Sequence, residues 1–192
     1  MIQYLFMNKI ELNPWKILSK KEVYETPWIK VTHHNVTNSS GYNGVYGTVH
    51  FKNYAIGIIA LDEDFNTWIV GQYRFPINEY TWEIPEGGGL VNTNPLDSAK
   101  RELLEEAGLI AEKWELIQEL QMSNSVTDEI AFIYLARGLK FANAKPDLNE
   151  VLQIKKIPFS KLVQMVMNNE IKDSITVTAT LKLKLMIELG LF

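Results

Sequence analysis

The sequence predicts a fold of mixed α and β class, in which helices pack on one sheet and a small antiparallel sheet comes first. Three observations support this prediction: strand-length apolar runs fill the first part of the chain, one sharply bounded helix follows them, and strand and helix patterns then alternate. The chain has 192 residues, of which 46% are hydrophobic, so it can form one compact domain with a sizeable core.

Composition excludes several classes of function. The net charge of -4 and the sequence pI of about 5.5 do not fit a broad nucleic-acid interface, which needs clustered Lys and Arg. Without cysteine there is no disulfide framework, thiolate metal site or Cys nucleophile. The apolar runs Met1–Phe6 and Ala55–Leu61 are too short for a signal peptide and a membrane span respectively. We therefore expect a cytoplasmic protein with neither a nucleic-acid nor a membrane partner.

The N-terminal segment is predicted to form an antiparallel sheet. Its strands are Ile17–Thr26, Ile29–Asn35 and Val45–Phe51, separated by Pro27 and by a turn-rich cluster at 38–44. So small a sheet cannot bury its own apolar side chains, and we expect them to pack against a second copy of the chain. These side chains are Trp15, Tyr24, Trp28 and Ile29. We assign residues 1–50 to this extension, with a role in dimerisation, and 51–192 to the main domain.

The main domain begins with two apolar runs, Ala55–Leu61 and Thr67–Tyr73, whose five-residue connection resembles a hairpin between buried strands. Thr81–Ile84 adds another strand before the sharply bounded helix. After that helix the predicted strands are Trp114–Leu120, Ile130–Ala136 and Gln153–Ile157, and the predicted helices are Leu162–Asn168 and Ile175–Leu189.

The helix Asn94–Ala107 has well-marked boundaries. Asn94 suits the N-cap, Pro95 suits the first helical position, and Asp97 adds an acidic residue to the first turn. Gly108 suits the left-handed conformation that commonly follows the last turn of a helix.

Three carboxylates share one face of this helix. With Glu102 at zero, Glu105 lies at about -60° and Glu106 at about +40° around the axis. The helix has a separate apolar stripe, made of Leu96, Leu103, Leu104 and Ala107. Arg101 can neutralise only part of the repulsion between three close carboxylates, so we expect a cation there. Carboxylate oxygens are ligands that Mg²⁺ prefers, together with water and substrate phosphate oxygens.

Upstream of the helix, Gly87, Gly88 and Gly89 predict an entry loop that approaches a ligand closely and adopts positive φ. Taken alone, the glycines would indicate an ordinary turn, and the carboxylates a solvated helix face. The combination of glycines, sharp helix caps and three carboxylates favours a ligand site.

At this point the residues resemble the Nudix hydrolase family, by Gly87 and the run Arg101-Glu-Leu-Leu-Glu-Glu-Ala-Gly-Leu109. One position departs from the family pattern: Thr93 stands where the family usually has a Glu. The resemblance implies an α/β/α sandwich with a mixed sheet between helices, and a Mg²⁺ cofactor, with Mn²⁺ as the alternative. It implies that Glu102 and Glu106 bind the metal, that Glu105 binds it or orients water, and that the carbonyl of Glu86 is a further ligand.

Flanking segments resemble the ADP-ribose pyrophosphatase branch of that family, which often forms homodimers. They are Gln72-Tyr-Arg74, Trp82-Glu-Ile-Pro-Glu86 and Ser123-Asn-Ser-Val-Thr-Asp-Glu129. The branch implies hydrolysis of ADP-ribose to AMP and ribose 5-phosphate. GDP-mannose or another nucleotide sugar is an alternative substrate, and a non-catalytic nucleotide-sensing module is an alternative function.

Candidate substrate-binding residues are Arg74, Trp28, Trp82, Gly87 and Gly88. A guanidinium at a strand end can bind phosphate or stack on a base, although Arg74 could instead be a surface residue paired with Glu79. The two tryptophans, with Tyr73 and Tyr80, could line a base pocket or belong to the core.

We expect the catalytic base to lie outside the helix. The branch often supplies it from a loop, which here is Lys140–Val151, and Glu150 is our candidate, with Glu105 as the alternative. Glu129 could be a strand-entry charge or a group behind the metal ligands. The histidines His33, His34 and His50 lack metal-ligand spacing.

Overall fold

The computed structural model describes residues 13–38, 40–142 and 152–192. The chain divides into two compact units, Met1–His50 and Phe51–Phe192. None of the helices among the described residues has the length and apolar character needed to cross a membrane.

The first unit is a three-stranded sheet with β1 at Lys16–Glu25, β2 at Ile29–Thr37 and β3 at Asn43–Phe51, in the order β1-β2-β3. The Thr26 hydroxyl accepts hydrogen bonds from the backbone N–H groups of Trp28 and Ile29, at 3.2 and 3.1 Å, and so closes the β1–β2 turn. The three predicted strands are therefore confirmed. Trp15, Tyr24 and Trp28 are exposed, and Ile29 is partly buried.

The second unit contains seven strands and three α-helices among its described residues. In chain order these are β4 Asn53–Ala60, β5 Asn66–Arg74, the 3-10 turn Phe75–Ile77, β6 Glu79–Glu83, β7 Glu86–Leu90, α1 Pro95–Ala107, β8 Leu109–Gln121, β9 Ile130–Phe141, β10 Gln153–Pro158, α2 Phe159–Met167 and α3 Ser174–Glu188. One sheet has the order β7-β4-β9-β8 and is mixed, because β4 and β9 are parallel. A second, antiparallel sheet has the order β10-β5-β6.

The mixed sheet lies between helices, as the predicted α/β/α sandwich requires. Successive residues of a strand point to opposite faces, and β4 buries both. Ile58 belongs to the hydrophobic cluster that contains Leu103 of α1. Ile59 belongs to the cluster that contains Leu162 of α2 and Leu183 of α3. The fold class predicted from the sequence is confirmed.

The predicted hairpin between β4 and β5 is wrong in its pairing. The turn itself forms, because Asp62 Oδ1 accepts a 2.7 Å hydrogen bond from the backbone N–H of Asn66. Only one isolated bridge, between Leu61 and Thr67, then connects the two chain segments. Both edges of β4 are already occupied by β7 and β9, so β5 joins the other sheet.

The predicted glycine-rich entry loop is also wrong, because Gly87, Gly88 and Gly89 lie within β7. This strand pairs antiparallel with β4, from Asn53 opposite Leu90 to Gly57 opposite Glu86. None of the three glycines has positive φ. The missing side chains of Gly87 and Gly89 instead allow the strand and α1 to approach each other closely, since Cβ atoms there would lie 2.0 Å from Glu102 and 3.0 Å from Ser98.

Candidate active site

The helix α1 has the boundaries that its sequence predicts. The Asn94 side chain accepts a 3.1 Å hydrogen bond from the backbone N–H of Leu96, and Gly108 ends the helix at φ 63°. Ala99, Leu103 and Ala107 are buried on the sheet side, while Leu96 and Leu104 are partly buried. The capped ends and the apolar stripe fix which way the glutamates of this helix point.

The acidic face of α1 is not a solvated surface. Glu102 is only 8% exposed and Glu106 only 4%, while Glu105 is partly exposed. A buried charge is costly unless it is paired or bound to a metal. The alternative of an ordinary solvated helix face is therefore excluded for two of the three carboxylates.

Gly87 makes this burial possible. A Cβ atom at residue 87 would lie 2.0 Å from the carboxyl carbon of Glu102, far inside van der Waals contact. At Gly88 the nearest atom to such a Cβ is Asn53 Nδ2, at an ordinary 3.4 Å. The close approach of β7 to α1 thus requires glycine at 87 and not at 88.

Arg101 is the cation that lies among the α1 carboxylates in the structure. It donates to Glu105 Oε2 and to Glu102 Oε1, each at 2.5 Å, and to the carbonyl oxygen of Gly88 at 2.8 Å. Partial burial lowers the pKa of the Arg101 guanidinium, but Glu102 and Glu105 together outweigh this effect and raise it. One positive charge still faces two carboxylates, so the face retains a net negative charge.

Glu106 joins α1 to the turn between β6 and β7. Its Oε2 atom accepts a 2.8 Å hydrogen bond from the backbone N–H of Glu86. Glu86 therefore has two links to the candidate metal site. Its carbonyl oxygen is a candidate metal ligand, and its N–H group orients the carboxylate of Glu106.

A second acidic cluster, which the sequence did not predict, consists of Glu83, Glu86 and Asp173. One oxygen from each carboxylate lies within 4.8 Å of the other two, and among the described residues this is the one group of three or more acidic, His or Cys side chains with that spacing. The α1 carboxylates do not converge to that degree. Burial of its carboxyl group, followed by repulsion from Asp173, raises the pKa of Glu86 well above the ordinary value.

Arg74 is held by Glu83 rather than by its predicted alternative partner Glu79. Its Nε and NH2 atoms donate to the two oxygens of Glu83 at 3.2 and 2.5 Å, and Gln72 Nε2 donates to Oε1 at 2.6 Å. Burial raises the pKa of Glu83, and Arg74 offsets this only in part. Arg74 is half-buried and rigidly oriented, which favours recognition of an anionic group.

A pocket of about 580 Å³ opens beside this ion pair. It is bounded by Arg74, Tyr80 and Trp82 on one side and by the segment Glu170–Asp173 on the other. Its volume is in the range that accommodates small-molecule ligands of nucleotide size. Because Glu83 and Asp173 line it and cluster with Glu86, the pocket adjoins the turn that contacts Glu106.

The aromatic residues divide between pocket and surface. Tyr80 and Trp82 meet edge to face at 5.8 Å, and Lys155 Nζ lies 3.8 Å above the Trp82 ring. Tyr73 is exposed and its hydroxyl donates to Asn78 Oδ1 at 2.6 Å. Trp28 belongs to the first unit, so its predicted role in binding a base stays a prediction.

The remaining sequence candidates are Glu150, Glu129 and the three histidines. Glu150 lies outside the described residues. Burial, with Asp128 next to it, raises the pKa of Glu129. No group of metal-ligating side chains among the described residues includes a histidine.

The α1 carboxylates fit a hard divalent cation. All the side-chain donors are carboxylate oxygens, which is the ligand chemistry of Mg²⁺ and Mn²⁺. Gly87 leaves room for the carboxylate of Glu102, because a Cβ atom at residue 87 would lie 2.0 Å from its carboxyl carbon.

Comparison with known proteins agrees with this geometry. The NUDIX domain model matches residues 52–177, and the model of the nucleoside diphosphate sugar hydrolase N-terminal domain matches residues 15–49. The chain is 31% identical over 130 residues to the ADP-ribose pyrophosphatase of Mycobacterium tuberculosis, covering 66% of this chain and 63% of that protein. It is 33% identical over 133 residues to the methanol dehydrogenase activator of Bacillus methanolicus, covering 68% of this chain and 72% of that protein.

A solved structure shows the same fold. The crystal structure of an ADP compounds hydrolase matches with a TM-score of 0.82 and 19% sequence identity, covering 92% of this chain and 95% of that chain. The NUDIX model covers well over half of the chain, including strands β4 to β10, the glycines of β7 and the carboxylate helix α1. The chain therefore belongs to the Nudix hydrolase family.

Proposed function

We propose that this chain is a Mg²⁺-dependent pyrophosphohydrolase that cleaves ADP-ribose to AMP and ribose 5-phosphate. The observation that carries the proposal is the placement of the Glu102 carboxylate against Gly87 and of the Glu106 carboxylate against the backbone of Glu86, next to a pocket that contains the oriented Arg74. The similar Mycobacterium tuberculosis protein, named an ADP-ribose pyrophosphatase, supports the choice of substrate.

In this proposal Glu102 and Glu106 bind the metal, and Glu105 either binds it or orients water. The carbonyl oxygen of Glu86 is a further ligand. The bound metal, Mg²⁺ or Mn²⁺, would lower the pKa of water and neutralise charge on the phosphate oxygens.

The other side chains bind and orient the substrate. Glu83 and Gln72 hold Arg74, whose guanidinium binds phosphate or stacks on the base. Gly87 and Gly88 let the substrate approach the backbone of β7. Trp82 contributes aromatic surface for the nucleotide base, and Trp28 stays a candidate for this role on the basis of the sequence alone.

The base that takes the proton from water is proposed to be Glu150, with Glu105 as the alternative. A carboxylate outside the metal site can remove a proton while the α1 glutamates keep their ligand role. Loss of Glu105 should raise the metal concentration that activity requires, whereas loss of Glu150 should leave it nearly unchanged.

A nucleotide sugar such as GDP-mannose is the second candidate substrate. The match of residues 15–49 to the nucleoside diphosphate sugar hydrolase N-terminal domain favours it. Both candidates contain a diphosphate joined to a nucleoside and a sugar, so the metal site would serve either one. The side chains that contact the nucleotide base determine which of the two substrates is preferred.

We propose that the first unit also forms a homodimer through the exposed side chains of Trp15, Tyr24 and Trp28. Light scattering at micromolar concentration should give the mass of two chains, and a monomeric mass would contradict this proposal. A cytoplasmic location stays a prediction from the composition.

The proposed reaction is tested by chromatographic product analysis with ADP-ribose, GDP-mannose and dinucleoside polyphosphates in the presence of Mg²⁺. We expect AMP and ribose 5-phosphate from ADP-ribose at the highest kcat/KM. Higher kcat/KM for GDP-mannose would select the alternative substrate. Absence of turnover on every compound, with either Mg²⁺ or Mn²⁺, would favour the non-catalytic sensing module over an enzyme.

A further inference from the structure

Thr176 is a fully buried residue in the first turn of α3 whose hydroxyl group bonds outside its own helix. Its Oγ1 atom accepts a 3.0 Å hydrogen bond from the backbone N–H of Ile84 and donates a 3.0 Å hydrogen bond to Glu86 Oε1. A hydroxyl can donate and accept at once, and here it uses both capacities on the turn between β6 and β7.

The same turn reaches the proposed metal site. The backbone N–H of Glu86 donates to Glu106 Oε2 at 2.8 Å, and the carbonyl oxygen of Pro85 accepts a 2.9 Å bond from the backbone N–H of Ile58. The turn is therefore held by β4 on one side and by Thr176 on another, while it orients a glutamate of α1. Three segments that are far apart in the sequence meet at residues 84–86.

The position of Thr176 is itself fixed by the start of its helix. Asp173 is the N-cap of α3, and its Oδ2 atom accepts a 2.7 Å hydrogen bond from the backbone N–H of Thr176. The hydroxyl therefore projects from a capped, well-ordered turn. A rigid support of this kind is what holds a ligand in one orientation.

Thr180 provides a natural comparison one helical turn later. It is also fully buried, but its hydroxyl donates to the backbone carbonyl of Thr176, at 2.7 Å, within the same helix. Loss of either hydroxyl removes a buried polar group of the same kind. Only loss of the Thr176 hydroxyl changes the turn that contacts Glu106.

We propose that Thr176 is a positioning residue for the metal site, acting through the turn at residues 84–86 on the carboxylate of Glu106 and the carbonyl of Glu86. The inference rests on the proposed function, because it takes Glu106 and the Glu86 carbonyl to be metal ligands. Groups that orient metal ligands typically contribute about 10- to 100-fold to metal affinity or activity.

The experiment compares Thr176→Val, Thr176→Ser and Thr180→Val with the wild-type chain. Mn²⁺ binding to the metal-free proteins is measured by titration calorimetry without substrate, and the Mg²⁺ concentration for half-maximal activity is measured separately. Thr176→Val should weaken Mn²⁺ binding about tenfold or more and raise the Mg²⁺ requirement in parallel. Thr176→Ser should restore both, and Thr180→Val should leave both unchanged even if it lowers the Tm.

Equal Mn²⁺ affinity in Thr176→Val and the wild type, or equal losses in Thr176→Val and Thr180→Val, would overturn the inference. If Thr176→Val does not fold, the comparison of Thr176→Ala with Thr180→Ala decides in the same way. Glu106→Gln tests the proposed function separately, since unchanged Mn²⁺ binding in that variant would show that Glu106 is not a metal ligand. A wild-type chain that binds Mn²⁺ but does not hydrolyse ADP-ribose would contradict the proposed reaction and leave the inference on Thr176 standing.

Discussion

The molecule contains two acidic groups that meet at Glu86, and the repulsion between like charges is reduced in a different way in each. On α1, Glu102 and Glu105 both bind Arg101, a cation from the same helix. In the cluster of Glu83, Glu86 and Asp173, Arg74 binds Glu83, and the carboxyl of Glu86 instead holds its proton more strongly. The first group is bound by a cation of its own helix and suits a divalent cation, whereas in the second group burial and Asp173 raise the pKa of Glu86.

The largest expected effect is that of Glu106→Gln, which removes a charged ligand with little change in volume. A metal contributes several kcal/mol of charge stabilisation, so turnover should fall by about 10³-fold or more. The measurement is kcat at saturating Mg²⁺, with Asp97→Asn on the exposed face of the same helix as the matched control. Unchanged Mg²⁺-dependent turnover in Glu106→Gln would show that the α1 group is not the metal site.

The next effect separates the two candidates for the base. Glu150→Gln should lower kcat by about 10²- to 10⁴-fold, the usual contribution of general-base catalysis, with little change in the Mg²⁺ concentration for half-maximal activity. Glu105→Gln, by contrast, should raise that concentration, because Glu105 belongs to the α1 group. A loss below about threefold in Glu150→Gln, far under the usual range, would transfer the role of base to Glu105.

A smaller loss should follow from Gly87→Ala. The added Cβ would lie 2.0 Å from the Glu102 carboxyl carbon, so the strand or the carboxylate must move. A displacement of about 1 Å at a catalytic site can cost about 10²-fold in rate. Gly47→Ala, in strand β3, is the matched control, since nothing lies within 4 Å of a Cβ atom there. Similar kcat/KM values for the two variants would contradict the steric role of Gly87.

The difference between the two acidic groups also explains how much of the site could be predicted from the sequence. The α1 group lies within five consecutive positions of one helix, and helical periodicity alone places its members on one face. Helix caps are equally local, and Asn94 and Gly108 act as predicted. Strands with strongly apolar patterns, such as β4 and β9, were also predictable.

The second group could not be predicted in this way, because Asp173 is distant in sequence from Glu83 and Glu86. The Asp-Ser-Ile start of α3 does carry an N-cap signal, which would have indicated Asp173 as a helix cap but not as a neighbour of Glu86. The strand β7 could not be predicted for a similar reason. Glycine-rich sequence normally indicates a turn, and only the approach of α1 shows why this strand needs residues without side chains.

The smallest expected effect concerns stability and tests the raised pKa of Glu86. Its folded-state pKa lies above the ordinary value of 4.5 because of burial and then Asp173, so the folded chain binds a proton over a pH range in which the unfolded chain has released it. Ionised Glu86 therefore destabilises the fold increasingly as the pH rises above that ordinary value, and the penalty is complete above the folded pKa.

Glu86→Gln, whose amide cannot ionise and can donate to Asp173, should raise the Tm at pH 8. For a chain of this size each kcal/mol corresponds to about 2–4 °C. The gain in Tm should shrink at pH 5, when thermal unfolding is measured with a chelator present so that no metal contributes. Glu188→Gln, on the exposed end of α3, is the matched control. A Gln variant that is no more stable than the wild type at pH 8 would mean that Glu86 is not penalised by its surroundings, and that the two acidic groups do not differ in the way described.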